Sequence, residues 1–312
     1  MKKTLLIFIL LVAATLVSCV KPDDHGYISM EVDYFVNGNP LITDSLCYHN
    51  EAGNEYMITE IQWFISKVEL QNEQGEWIPV GHRDVNSLPS YATGRIFYID
   101  TNIPESQTLM MSAVPVGYYT AMRFTFGLDE EDNISGLFSD APESNMFWPE
   151  PLGGGYHYMK LNGRFVNAEG ELVPLNTHLG IGQNADHTEF YQNYFTVEGP
   201  IDMYVSGNKE NHIRLCMDVD NWFRNPNLYD FTVYGSAIMQ NQEAQQALKE
   251  NGQDVFTFHE LWFLFEKDMN KKEIVENFNR IMKKSAPEPH FWSWKSVKAR
   301  WEQHTDDTES DS

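Results

Sequence analysis

Two histidines and a methionine form the part of the sequence best suited to bind a metal ion. His157 and Met159 alternate within residues 155–166, a segment whose pattern predicts a β-strand with both side chains on one face. His178 follows one predicted hairpin later in the chain. Imidazole nitrogen binds copper and zinc, and thioether sulfur favours cuprous copper. The three residues form a copper site if the hairpin brings the histidines together; otherwise they are ordinary polar residues of a sheet.

The other motifs point away from catalysis. The run from Gly153 to Gly155 is not followed by the helix and Lys-Ser/Thr pair of a phosphate-binding loop. The acidic segment Asp129–Asn133 offers oxygen ligands but lacks the ligand spacing of a calcium loop, so we interpret it as a solvated loop. The sequence contains no Gly-x-Ser-x-Gly, His-Glu-x-x-His or Cys-x-x-Cys motif. Since no arrangement of nucleophile, acid and base is visible, we expect a protein that is not an enzyme.

The first residues predict an exported chain with a lipid anchor. Two lysines precede the apolar run Leu5–Leu11, which is too short to span a bilayer, a task that takes about 20 apolar residues. The run ends in a small residue followed by Cys19, as in the lipobox of bacterial lipoproteins. We therefore expect a signal peptide at 1–18, an acylated Cys19 and a tether at 19–26, in an outer-membrane lipoprotein on the periplasmic or the external side. The alternative is a soluble secreted protein with a cysteine near its cleavage site.

The composition excludes one class of partner and leaves the cysteines undecided. The chain has 22 Lys and Arg against 45 Asp and Glu, a net charge of −23, which repels the phosphates of nucleic acids. Nucleic-acid binding is therefore not expected, whereas cations are plausible ligands. Cys47 and Cys216 would meet an oxidising compartment after export. They either form a disulfide or remain two buried free thiols, because spacing alone does not fix the distance between them.

The elements that must position these residues are predominantly β-strands. Tyr27–Val36 alternates, with apolar residues from Ile28 to Val36 on one face and Ser29, Glu31 and Asp33 on the other, and Asn37-Gly38 then supplies a turn. Ile58–Leu70 is ambiguous, because its isoleucines also fit a helical spacing. Many short strands separated by turns predict an all-β fold, an antiparallel immunoglobulin-like sandwich, over residues 27–265. Further strand patterns occur at Arg95–Asp100, Tyr118–Leu128, Gly155–Val166, Glu189–Glu198, His212–Val219 and Val255–Phe265.

Helical patterns appear only late in the chain. Asn241–Glu250 is rich in helix formers, and Gly252 is a stop signal. Residues 266–304 are predicted to form a short C-terminal helical appendage that packs on the β domain, and 305–312 a disordered tail. The helical appendage carries a stripe formed by Phe291, Trp294, Lys298 and Trp301.

A fixed order of short motifs runs through the chain. The central ones are Gly127-Leu128-Asp129, Met146-Phe147-Trp148, Gly155-Tyr156-His157-Tyr158-Met159-Lys160 with Gly163, and Thr177-His178-Leu179-Gly180. Trp63-Phe64-Ile65-Ser66 lies upstream of them and Asn221-Trp222-Phe223 downstream. In content and order these motifs resemble the MbnP family. The resemblance covers about residues 27–260.

That resemblance implies a copper-binding protein of the periplasm or cell surface with a β-sandwich body. It also implies a partner, a di-haem enzyme related to MauG, which oxidises a tryptophan to kynurenine that then contributes to a copper site. By position, Trp148 after Met146 matches the family's tryptophan, and His178 matches the histidine of His-x-Gly. Two positions depart from the pattern. Many relatives have a second tryptophan where this chain has Glu150, and His157 replaces an apolar residue, which would make it a ligand specific to a subgroup.

The sequence thus predicts a lipid-anchored copper-binding protein that acts in metal acquisition or handling. His157, His178 and Met159 are the predicted ligands, with Trp148 and Met146 close to the metal. The alternative is a scaffold lipoprotein of the same fold that binds no metal and accompanies an outer-membrane uptake system such as a TonB-dependent transporter.

Overall fold

The computed structural model describes residues 24–80, 94–184, 186, 188–207 and 210–260. The predicted signal peptide at 1–18, Cys19, the helical appendage at 266–304 and the tail at 305–312 lie outside the described residues. No helix within the described residues is long and apolar enough to cross a membrane.

The described part of the chain is built almost entirely of β-strands, joined by short helices. The helices are α1 (Phe231–Tyr234), α2 (Gln242–Asn251) and single 3-10 turns at Pro104–Gln107, Glu143–Met146, Glu150–Leu152, Val219–Phe223 and Gly252–Asp254. The strands are β1 (His25–Val36), β2 (Asn39–Pro40), β3 (Tyr48–His49), β4 (Glu55–Asn72), β5 (Trp77–Pro79), β6 (Ile96–Asp100), β7 (Thr108–Pro115), β8 (Gly117–Phe126), β9 (Met159–Val166), β10 (Leu172–Leu179), β11 (Gly182–Gln183), β12 (Phe190–Tyr191), β13 (Phe195–Val205), β14 (Glu210–Asp218) and β15 (Phe256–Glu260).

The strands form two large sheets that pack as a sandwich, and β11 and β12 pair with each other as a separate two-stranded sheet. In the first sheet the order is β15-β14-β1, and both β2 and β7 pair with β1. In the second sheet the order is β10-β9-β4-β8-β13, and β3, β5 and β6 also pair with β4. Aromatic rings fill the interior; for example, Trp63 of β4 lies 5.3 Å from Phe256 of β15 between ring centroids. The all-β sandwich prediction is confirmed.

One strand pair departs from the antiparallel pattern. β1 pairs with β14 in parallel, in unbroken register from Tyr27 opposite Glu210 to Phe35 opposite Asp218. A parallel pair needs a crossover rather than a hairpin. Here the connection is the whole chain from β2 to β13. The first sheet is therefore complete only when β1, near one end of the described chain, has paired with β14, near the other end.

β4 explains the ambiguous spacing at Ile58–Leu70. The segment is one long strand with irregular register between Ile58 and Glu60 and again between Ser66 and Glu69. Each bulge adds a residue and reverses the inward and outward alternation. Buried side chains therefore lie three residues apart at Ile58 and Ile61. The bulge after Ser66 gives the same spacing between Ile65 and Val68. A doubly bulged strand imitates the period of a helix.

The helix predicted at Asn241–Glu250 is confirmed as α2. The Asn241 side chain caps its first turn by accepting a hydrogen bond from the Ala244 amide. Gln245 of this helix accepts a hydrogen bond of 3.0 Å from the Gly180 amide, just beyond the end of β10. The helix thereby supports the loop that follows His178.

Cys47 and Cys216 are not joined by a disulfide. Cys216 is buried, whereas Cys47 is exposed. Of the two alternatives that the sequence left open, the structure has two thiols rather than a disulfide, but the expectation that both would be buried is wrong for Cys47.

The acidic loop after β8 is organised around a lysine. The Lys67 ammonium contacts the carboxylate of Asp129, lies 2.8 Å from Glu131 Oε2 and lies 3.9 Å from Asp132 Oδ2. Asp132 is buried, so the interpretation of a wholly solvated loop is wrong. The Lys67 ammonium lies between these carboxylates, at the position that a bound cation would occupy.

Candidate metal centre

A tight loop returns the chain from Trp148 to His157. The three glycines from Gly153 to Gly155 adopt φ values of 117°, 70° and 77°, a region that side chains rarely enter. The Trp148 amide donates to the Gly155 carbonyl at 2.8 Å. The indole Nε1–H donates to the Leu152 carbonyl at 3.0 Å, within the same loop. The glycine run is therefore the turn that holds the indole of Trp148, which is fully buried.

His157 lies before the strand rather than within it. β9 begins at Met159, and the His157 amide donates to the Met146 carbonyl at 2.6 Å instead of to a neighbouring strand. Its ring Nδ1 lies 2.8 Å from the same carbonyl oxygen. Because a carbonyl only accepts hydrogen bonds, Nδ1 carries the proton and Nε2 carries the lone pair. That Nε2 atom is buried and has no hydrogen-bond partner.

The two histidines and Trp148 converge. His178 lies on β10 directly opposite Lys160 of β9. The ring centroids of His157 and His178 are 5.1 Å apart, with the ring planes at 83°. The Trp148 and His157 rings are 4.6 Å apart at 75°. The structure therefore brings together three of the five side chains that the sequence placed at the site.

Met159 faces away from these three rings, and Met146 contacts His157 through its backbone. Met159 pairs with Leu179 across β9 and β10, so its fully buried side chain points to the face opposite that of His178. The prediction that His157 and Met159 share a strand face is wrong, because the chain turns between these residues and β9 starts only at Met159. Met146 takes part through its carbonyl oxygen.

The glycine of His-x-Gly is required by the tryptophan. A Cβ atom on Gly180 would lie 2.6 Å from Cε3 and 2.7 Å from Cζ3 of Trp148, closer than such atoms approach in proteins. The indole is thus packed against the backbone of the residue two positions after His178. The motifs that supply Trp148 and His178 are coupled through this contact.

Burial keeps both histidines neutral. Burial lowers the pKa of His157 to about 3, and the neighbouring Lys160 charge acts in the same direction. Burial also lowers the pKa of His178 to about 4, again with help from Lys160. Neutral imidazoles offer their lone pairs to a metal without first losing a proton.

These residues fit a metal ion of low coordination number. The unpartnered Nε2 of His157 is a buried acceptor, the kind of atom that native proteins normally satisfy with a donor, water or an ion. A second imidazole lies beside it. Within the described ranges there is no cluster of three or more His, Cys, Asp and Glu side chains able to hold a metal.

Sequence reasoning did not identify the polar residues that support the site. His178 Nε2 lies 2.8 Å from Asn162 Oδ1, and the Asn162 amide group donates to Glu60 at 3.0 Å. Lys160 donates to the carbonyl of Asn145, the residue before Met146. Lys160 and Asn162 both alternate onto the face that carries His178. The alternation of residues along the strand predicts this shared face, but it does not reveal which polar residue bonds to which.

The comparisons with known proteins decide the family. The family model described as MbnP matches residues 25–242. The chain belongs to the MbnP family. Among solved structures, MbnP from Methylosinus trichosporium is similar, with 13% sequence identity, 76% of this chain and 99% of that chain covered, and a TM-score of 0.48. No curated protein matches the chain.

Proposed function

We propose that this member of the MbnP family is a copper-binding protein without catalytic activity, in which His157 and His178 hold the ion. The observation that carries the proposal is the buried, unpartnered Nε2 of His157 beside a second neutral imidazole, with ring centroids 5.1 Å apart. Imidazole nitrogen is a preferred ligand of copper.

The electrostatics of the site favour the monovalent ion. The cost of burying an ion rises with the square of its charge, so a divalent cation pays far more than cuprous copper in the same cavity. The charged neighbour that acts on both histidines is the Lys160 ammonium, which repels cations. Two neutral nitrogen ligands near a positive charge therefore suit copper(I) better than copper(II) or zinc.

Trp148 is the proposed third contributor after oxidation to kynurenine by a di-haem, peroxide-consuming partner. Two peroxide molecules each give one oxygen atom to the indole C2–C3 bond and leave as water, and hydrolysis then releases the C2 carbon as formate. The net gain of one oxygen and loss of one carbon adds about 4 Da to the residue. The product has an aniline nitrogen and a ketone oxygen, both better ligands than indole. Its position beside His157 supports the assignment.

The setting of this function is the cell envelope. The lipobox that ends at Cys19 supports a lipid anchor, and several acyl chains give stable attachment at about 0.8 kcal/mol for each buried CH₂ group. We assign the protein to metal acquisition or handling at the outer membrane, where a TonB-dependent transporter is a candidate second partner.

The test is copper(I) binding by competition with a chromophoric chelator, using His157→Ala and His178→Ala variants. His212→Ala is the matched control, because His212 is exposed on the other sheet. Both site variants should lose high-affinity binding, while the control keeps it. Native affinity in both site variants would overturn the two-histidine site and leave the scaffold function.

The modification is tested separately by peptide mass spectrometry on protein from its native host. The peptide that contains Trp148 should carry the added mass, and the same peptide from a strain lacking the di-haem partner should not. Unmodified Trp148 in copper-loaded native protein would refute the kynurenine step and leave the histidine site intact.

A further inference from the structure

A chain of directed hydrogen bonds leads away from His178. His178 Nε2 lies 2.8 Å from Asn162 Oδ1. Asn162 Nδ2 donates to Glu60 Oε2 at 3.0 Å, and Asn102 Nδ2 donates to Glu60 Oε1 at 3.0 Å. Strand pairing supports the chain, because Glu60 of β4 is the direct cross-strand partner of Asn162 on β9. Three strands therefore fix these groups relative to one another.

The chemistry of the groups fixes the direction of each bond. An ionised carboxylate only accepts, so Glu60 must face the NH₂ group of Asn162 rather than its carbonyl. The Asn162 carbonyl oxygen then faces His178, and an amide oxygen also only accepts. The proton of the neutral His178 ring must accordingly be on Nε2. Its lone pair is on Nδ1.

The opposite arrangement holds at His157. There the Met146 carbonyl accepts from Nδ1, and the lone pair is on the unpartnered Nε2. The two rings therefore carry their protons on different nitrogens although they lie in contact. Side chains that accept the second ring N–H of a histidine ligand set both its tautomer and its orientation.

We propose that Glu60 and Asn162 are positioning residues that select the Nε2–H tautomer of His178, so that the site binds its metal through Nδ1 of His178 and Nε2 of His157. The selection of the His178 tautomer concerns the metal-free protein alone. The assignment of His178 Nδ1 and His157 Nε2 as ligand atoms rests on the proposed copper function.

The tautomers are measured by nitrogen-15 NMR of metal-free protein labelled in histidine, near neutral pH, through correlations between ring nitrogens and ring protons. His178 should show a protonated Nε2 and a bare Nδ1, and His157 the reverse. Glu60→Gln removes the group that orients the Asn162 amide, so His178 should become a mixture of tautomers. Glu69→Gln, on the same strand but paired with Arg123, is the matched control and should leave His178 unchanged.

Copper(I) is then added to the same samples, since its closed shell keeps the signals observable. The His178 Nδ1 and His157 Nε2 resonances should shift. Asn162→Leu should weaken copper(I) binding by about 10–100-fold, the usual effect of losing such a partner, whereas Glu69→Gln should bind as wild type does.

The outcomes separate the tautomer selection from the ligand assignment. A protonated Nδ1 on His178 in the metal-free wild type, or a single tautomer in Glu60→Gln, overturns the selection. A copper-induced shift at His178 Nε2, or wild-type affinity in Asn162→Leu, overturns the ligand assignment. If the predicted tautomers are present but no histidine resonance responds to copper(I), the selection stands and the copper function fails.

Discussion

Replacing Gly180 with alanine tests the packing that joins Trp148 to His178. The new methyl group would lie 2.6 Å from the indole, where ordinary contacts begin at about 3.4 Å, so the ring or the backbone must move by about 0.8 Å. Neither is free to do so. The indole is fully buried and hydrogen-bonded to Leu152, and the Gly180 amide is bonded to Gln245. Overpacking of this kind costs about 1–3 kcal/mol of unfolding free energy.

Urea unfolding followed by circular dichroism measures that loss, and thermal unfolding should show a fall of about 2–4 °C for each kcal/mol. Gly117→Ala is the matched control. Gly117 lies at the start of β8 and, like Gly180, is not in the left-handed region, but a Cβ there meets nothing within 4 Å. Its substitution should change the free energy of unfolding by no more than about 0.5 kcal/mol.

A second readout follows from the geometry. Displacement of the indole changes its 4.6 Å contact with His157, so Gly180→Ala should also perturb the fluorescence of the folded protein and its copper(I) affinity. If Gly180→Ala were as stable as Gly117→Ala, with unchanged fluorescence, the indole would not pack against Gly180, and the explanation of the His-x-Gly motif would be wrong.

Three further predictions concern protons, thiols and the anchor. Because burial lowers the pKa of His157 to about 3 and of His178 to about 4, copper(I) affinity should stay flat as the pH falls from neutral and decline only as it passes through about 4. Between about pH 6.5 and about pH 4 the histidines of the unfolded chain bind protons, because their ordinary pKa is about 6.5, whereas these two histidines of the folded metal-free protein do not. The unfolding free energy of the metal-free protein should therefore fall as the pH falls through this range. A copper affinity that drops at about pH 6.5 would contradict the burial of both rings. Iodoacetamide should label Cys47 in the native protein and Cys216 only after denaturant is added, as read by peptide mass spectrometry; rapid native labelling of Cys216 would show that it is accessible. Cys19→Ala should release the protein from membranes or leave it unprocessed, and a variant of normal mature mass that still partitions with membranes would disprove the anchor.

The sequence predicted the sandwich because alternation of period two is a local property. Ile28–Tyr34 shows it clearly, and β1 occupies that segment. The same reasoning was less successful at β4, since register irregularities depend on the neighbouring strands and their effect on spacing imitates a helix. Parallel pairing of β1 with β14 is a property of the whole topology and has no local signal.

The candidate site was predictable in its residue types but not in its geometry. His178 and Trp148 could be found because they occur in motifs whose order is recognisable. The position of His157 required knowing that the glycine run ends in a loop, which moves its ring from the face of Met159 to that of His178. Asn162 looked like any outward-facing strand residue, because its role depends on the distant Glu60.

The parallel pairing of β1 and β14 has a consequence for how the chain reaches its folded state. β1 is the first described strand, yet its partner β14 begins only at Glu210. Contacts between segments so far apart in sequence form slowly, because most of the loop entropy must be lost before they stabilise anything. If the chain is exported from its N-terminus, as proposed, β1 therefore has one unpaired edge until nearly the whole domain has emerged. During that interval β1 is exposed to pairing with other chains, which makes delayed sheet closure the step at which this protein is most open to aggregation.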